Sequence, residues 1–154
     1  MGPIGSEIAR AETYLTKGDY ILAATHFFHV AEIYLKEIKR SKENTSEKAQ
    51  YLDAMKKFFR KAIDSYLLGK NYGLFVDFLK KHTLKLFPSP TDQIEIFKDA
   101  ATKLIQLGAL KHASTLVKQL AYLYKTKPLQ NLEKATYYEL LAPQIEAGIT
   151  DIID

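Results

Sequence analysis

The chain has 154 residues, 47% of them hydrophobic and 26% charged, an ordinary globular balance with length enough to bury a core in one domain. It holds no cysteine, which excludes disulfides and thiolate chemistry and fits a reducing cytoplasm. No apolar run approaches the roughly 20 residues that cross a bilayer, and the net charge of +4 is uneven: residues 36–61 carry nine basic against four acidic side chains, residues 131–154 one against five.

The opening "MGPIGSEIAR" lacks the basic-then-apolar order of a secretion signal. "GPIGS" resembles an expression-tag scar, so residues 1–5 are expected to be disordered or tag-like. Ser6 fits the N-cap of a short helix over 6–17, with Ile8, Ala11 and Leu15 on one stripe. Gly18 then punctuates the chain. The next helix, over 19–38, places Tyr20, Ala23, Ala24, Phe27, Val30, Ala31 and Tyr34 at helical spacing. Ile21, Phe28 and Leu35 widen that stripe, so the helix should be packed on several sides. "RSKENTSEKA" is a linker in which Asn44 and Glu47 have the spacing of a capping box. A long helix over 46–68 follows, with Leu52, Met55, Phe59, Ala62, Ile63 and Tyr66 inward, and Gly69 ends it.

A helix over 72–87 carries Phe75, Phe78, Leu79 and Leu86, and "PSPT" stops it because two prolines cannot continue a helix. Thr91 or Asp92 should cap the next helix, which runs to Leu107 with Ile94, Phe97, Ala101, Leu104 and Ile105 inward. Gly108 closes it. A helix over 110–125 follows, with Ala113, Leu116, Val117, Leu120 and Tyr124 inward. The last, over 132–142, should end at Pro143, leaving 144–154 as an acidic tail that is either a frayed terminus or a docking segment. The expected fold is therefore all-α within one domain spanning 1–154. Seven helices form three antiparallel hairpins, turning at Gly18, Gly69 and Gly108, and a C-terminal capping helix. Amphipathic pairs that bury themselves by stacking follow the logic of a solenoid.

"YLTKGDYILAATHFFHVA" resembles the tetratricopeptide repeat: Tyr14, Gly18, Asp19, Tyr20, Ala23 and Phe27 match its pattern, and Val30 stands where a last alanine is expected. The glycines are 51 and 39 residues apart, not the regular 34 or so of that family. Helices longer than the repeat demands resemble its SNAP-like relatives, the soluble attachment proteins of vesicle fusion. The resemblance implies a right-handed stack and a function in binding partner proteins.

The strongest local constellation is "MKKFFRKA", where Lys56 and Arg60, and Lys57 and Lys61, are four residues apart. A solvated helix face is the plain reading. The resemblance implies a sharper one. The first helix of each tetratricopeptide hairpin lines a concave groove, which would gather Lys57, Arg60 and Asp64 with Lys98 and Thr102. Lys61, one turn beyond Lys57, joins that partner-binding set, which suits an acidic peptide. The family's carboxylate clamp is not matched, because Ile8 and Glu12 stand where its Lys and Asn would be. Nucleic acid is the alternative partner: Lys80, Lys81, His82 and Lys85 extend the basic middle, and Tyr51 or Tyr72 would stack on bases.

His26 and His29 are three apart on a helix and have the spacing to share a metal. Without cysteine, and with Glu32 rotated away from His26, a solvent-edge structural role is expected for both, and no metal site is expected. His82 and His112 read as surface residues. No phosphate-binding loop, metalloprotease motif or nucleophile elbow occurs, so no catalytic residue is assigned and no cofactor is expected. The sequence thus expects a non-catalytic, cytoplasmic protein-interaction or scaffold module that binds an acidic peptide or helix in a basic groove.

Overall fold

The computed structural model describes residues 2–41, 46–126 and 128–149. Seven α-helices account for most of them: α1 (Pro3–Lys17), α2 (Tyr20–Arg40), α3 (Ser46–Leu68), α4 (Tyr72–Leu86), α5 (Pro90–Gln106), α6 (Leu110–Lys125) and α7 (Leu132–Glu146). None is long and apolar enough to cross a membrane. The helices gather into two compact units, Met1–Asn71 and Tyr72–Asp154.

In the first unit α2 is central and packs on both α1 and α3. Ala23, Ala24 and Ala31 of α2 are fully buried, and their small side chains let neighbouring helices approach closely. Phe27 joins Met55 and Phe59 of α3 among the largest buried side chains. The opposite edge of α2 is not covered: Ile21 and Leu22 are 46% and 42% exposed, so the helix is packed on two sides rather than all round. By contrast α1 contributes one fully buried residue, Ala11, while Ile8 and Leu15 are half-buried.

In the second unit α6 is central, packing on α5 and α7, with α4 against α5 and α6. Phe75, Leu79, Leu86, Phe87, Phe97, Leu104, Leu116, Leu120 and Ile145 fill its interior. Ser114 of α6 donates a buried hydrogen bond of 2.9 Å to the carbonyl of Ala142 in α7. Gln93 donates through its side-chain amide to the carbonyl of Phe87 across the Pro88–Pro90 corner, at 2.6 Å. The close pairs within the units are thus α1 with α2, α2 with α3, α5 with α6 and α6 with α7. The expected hairpin around Gly69 falls at the boundary between the units.

Three helix ends differ most from the sequence expectation. First, α1 begins at Pro3, not at Ser6: proline at the first helical position has its φ preset and loses no needed donor. Residues 3–5, expected to be tag-like, are therefore helical. Secondly, α5 begins at Pro90 for the same reason, with extended Ser89 as its N-cap in place of Thr91 or Asp92. Finally, α7 runs through Pro143 to Glu146. Interior proline costs about 3 kcal/mol, but the buried stripe Ala135, Tyr138, Leu141, Ala142 and Ile145 continues past it and holds the last turn down. Asn131 caps α7 by accepting from the Lys134 amide at 3.1 Å. The capping box expected at Asn44 lies outside the described residues; its Glu47 accepts a hydrogen bond from the Tyr51 hydroxyl at 2.6 Å.

The turns share one device. After α1, the amide of Gly18 donates to Leu15 and that of Asp19 to Tyr14. After α5, Gly108 donates to Ile105 and Ala109 to Leu104; after α7, Gly148 donates to Ile145 and Ile149 to Gln144. Each is a Schellman cap with glycine in the left-handed position, at φ 81°, 79° and 98°. The cap after α3 has the same bonds, Lys70 to Leu67 and Asn71 to Tyr66, but its left-handed residue is Lys70, at φ 57°. So Gly69 stands one place before the structural equivalent of Gly18 and Gly108. Its lack of a side chain serves space: a Cβ there would lie 2.9 Å from Cβ and 3.0 Å from Cδ2 of Tyr20, at the start of α2.

Candidate functional site

The partner-binding residues expected from sequence divide between the two units. Lys57, Arg60, Lys61 and Asp64 all belong to α3 of the first. Their spacing follows from the core pattern: Met55, Phe58, Phe59, Ala62 and Ile63 are buried, which turns positions 57, 60, 61 and 64 to the other side of the helix. Lys57 is exposed and its ammonium lies 5.5 Å from the centre of the Phe58 ring. Lys61 is half-buried and its ammonium lies 5.5 Å from the centre of the Phe27 ring in α2. Phe27, Phe58 and Tyr34 stack in series, with centroid separations of 6.4 Å and 6.2 Å. The two lysines are thereby laid over an aromatic ladder, their stems covering apolar surface while the charged ends stay wet. Arg60 and Asp64 are half-buried on the same helix.

Lys98 and Thr102 belong to α5 of the second unit. Thr102 donates its hydroxyl to the carbonyl of Lys98 at 2.9 Å, so that group is engaged by its own helix. Lys98 lines an open recess of about 360 Å³ with Glu133, Lys134, Tyr137 and Tyr138 of α7. The ammonium of Lys134 lies 5.3 Å from the centre of the Tyr124 ring, and Tyr124 stacks on Tyr138 at 5.6 Å. The sequence expectation pairs helices by their turns and treats α7 as a cap, so it does not bring α7 beside Lys98.

Lys80, Lys81 and Lys85 are exposed along α4, while His82 is half-buried with its ring 4.7 Å from that of Phe78. His112 is half-buried too, and its ring lies 6.4 Å from that of Tyr72. Both histidines, expected at the surface, are packed against aromatics.

A second arrangement joins α1 to α2. Both His26 and His29 donate from Nδ1 to the same carboxylate oxygen, Oε2 of Glu7, at 2.6 Å and 3.3 Å. The side chains of His26 and Glu7 are 16% and 18% exposed, and that of His29 is 48% exposed. The His26 ring stacks on Tyr14 at 5.3 Å and meets His29 edge-on at 5.7 Å. The other carboxylate oxygen of Glu7 lies 3.6 Å from the Arg10 guanidinium. Hydrogen bonding from His26 holds the Glu7 carboxyl below its usual range; burial pushes the other way by less, and His29 adds a further lowering. Sequence reading had both histidines but not Glu7. The signal was there: in an antiparallel hairpin, residues equidistant from the turn come level, and Glu7 and His29 stand the same number of residues before and after Gly18.

No protein-family model matches the chain, and neither the curated proteins nor the solved structures contain a match to it.

Proposed function

We propose that the chain is a non-catalytic protein-interaction module that holds an acidic peptide or helix against the basic flank of α3. The observation that carries this reading is the pair Lys57 and Lys61, each set over an aromatic ring on one side of α3, with Arg60 and Asp64 beside them. Lysines laid over rings lose less freedom on binding than lysines waving in solvent, and their charge faces whatever docks there. Arg60 adds a planar fork suited to a carboxylate, and Asp64 fixes direction by repelling a misplaced acid. In the second unit Lys98 and Lys134 line one recess, with Lys134 set over the Tyr124 ring.

The right-handed, tetratricopeptide-like stack with a concave groove is part of this proposal. Its support is the repeated Schellman cap at Gly18, Lys70 and Gly108, each followed two residues later by the first residue of a helix. A cytoplasmic setting accords with the absence of cysteine.

The test is a double charge reversal, Lys57→Glu with Arg60→Glu. Both side chains lie outside the fully buried core, so far-UV circular dichroism should be unchanged. Capture of an acidic helical peptide should fall at least tenfold or so, equivalent to about 1.4 kcal/mol. Undiminished capture by the double variant would sink the α3 reading. A nucleic-acid-binding role is favoured by one observation, the exposed row Lys80, Lys81 and Lys85 on α4. Steeply salt-dependent binding of a generic oligonucleotide, lost on reversing those lysines, would select it instead.

A further inference from the structure

We propose that Glu7, His26 and His29 form a binding site for a divalent transition metal of the zinc class, which clips α1 to α2. One ligand atom from each of the three residues lies within 4.8 Å of the others. Two imidazole nitrogens and a carboxylate oxygen form a donor set suited to Zn²⁺, and poorly suited to Mg²⁺ or Ca²⁺, which take oxygen.

Two of the three distances are close to those a metal requires, and the third, between the two imidazole nitrogens, is within 4.8 Å and has to close. Bonds of about 2.0–2.1 Å in a tetrahedron place neighbouring ligand atoms about 3.3 Å apart. The His29–Glu7 separation is already 3.3 Å, and the His26–Glu7 separation of 2.6 Å has only to open slightly. That opening needs a side-chain rotation of Glu7, whose other oxygen lies 3.6 Å from the guanidinium of the largely exposed Arg10. Binding through Nδ1 leaves Nε2 of each imidazole to carry the ring's proton.

The surroundings support a ligand role for the same atoms. His26 is fixed by its stack on Tyr14, which sets the plane of the ring before any ion arrives. Glu7 and His29 border an open recess of about 290 Å³ that Glu32 also lines. Water reaches the fourth coordination position through that recess, and Glu32 supplies a second carboxylate near it. Arg10 and Lys36 are the cations close by; both are exposed and screened by solvent. The benefit falls on α1, which has only Ala11 fully buried and so depends on polar ties to α2.

The experiment uses the unsubstituted, chelator-treated protein titrated with ZnCl₂ near neutral pH. Calorimetry should show one ion bound per chain, and heteronuclear NMR should show the ring signals of His26 and His29 shifting while those of His82 and His112 stay. The Tm should rise with zinc and not with Mg²⁺. His29→Gln, at a half-exposed position that far-UV circular dichroism can check for folding, should weaken binding about tenfold or more. Absence of heat and of ring shifts in large zinc excess would overturn the proposal. So would shifts confined to His82 or His112, or undiminished affinity in a His26→Gln, His29→Gln double variant. The outcome is independent of any peptide binding at α3.

Discussion

Gly69→Ala tests the closest approach in the first unit. The substitution adds one methyl group at a backbone position that is not left-handed, so no backbone strain adds to its steric cost. The new Cβ would sit 2.9 Å from Cβ and 3.0 Å from Cδ2 of Tyr20, and 2.6 Å from Nδ2 of Asn71. Carbon pairs rest at about 3.5–4.0 Å. The Asn71 amide can swing aside, but Tyr20 Cβ is attached directly to the backbone of α2 and moves only if the helix does. Overpacking of this sort costs about 1–3 kcal/mol, and the loss of glycine's freedom in the unfolded chain returns about 0.4–1 kcal/mol. The net expectation is destabilisation by about 1–2 kcal/mol, read as the shift in urea midpoint by circular dichroism. Gly18 is the control, since nothing lies within 4 Å of its added Cβ and its φ of 81° is the only obstacle. Asparagine tolerates the left-handed region better than alanine, so Gly18→Asn should be more stable than Gly18→Ala. At position 69 the order reverses, because Asn is larger. If Gly69→Ala is as stable as the original chain, or Gly69→Asn exceeds it, the close contact with Tyr20 is not what requires glycine.

Two further predictions concern buried polar groups. The hydroxyl of Thr83 is buried and finds no hydrogen-bond partner among the described residues, so Thr83→Val removes an unmet desolvation and should stabilise by about 1–3 kcal/mol; a lower urea midpoint for the valine variant would refute it. Burial raises the Tyr66 phenol above its ordinary 10.0. Above that pH the unfolded chain gives up the proton before the folded one, so this group's contribution is intact below pH 10.0 and is lost as pH rises through the folded value. The stability of Tyr66→Phe should therefore fall less steeply in alkali than that of the original chain, and parallel pH profiles would contradict the assignment.

Most of the helices were legible because periodicity and punctuation agreed. The span of α3 was read as observed, from a core stripe that begins after a polar linker and ends at a turn, and α6 likewise. What misled were residues with two uses. Proline stops a helix in its interior but starts one at its first turn, which displaced the beginnings of α1 and α5. At Pro143 the local penalty was outweighed by burial of Ile145, a tertiary effect that propensity does not contain. Gly69 looked like Gly18 and Gly108 in sequence, yet Lys70 takes the left-handed position. The α3 lysines were visible as a basic pattern, but their seats on Phe27 and Phe58 depend on α2 packing against α3. Glu7 was hidden for the same reason, since its partners lie on another helix.

Because α1 has only one fully buried side chain, the first unit has a seam between α1 and α2. Its covering of α2 rests on one fully buried alanine, half-buried aliphatics and a carboxylate shared by two imidazoles. Opening along that seam should need less free energy than unfolding the unit, so α1 should exchange its amide protons through a private, sub-global excursion that leaves α2 and α3 paired. Whatever engages Glu7 would slow that excursion, and whatever removes it would free a helix-length flap. On that expectation the first helix acts as a hinged cover over one side of α2.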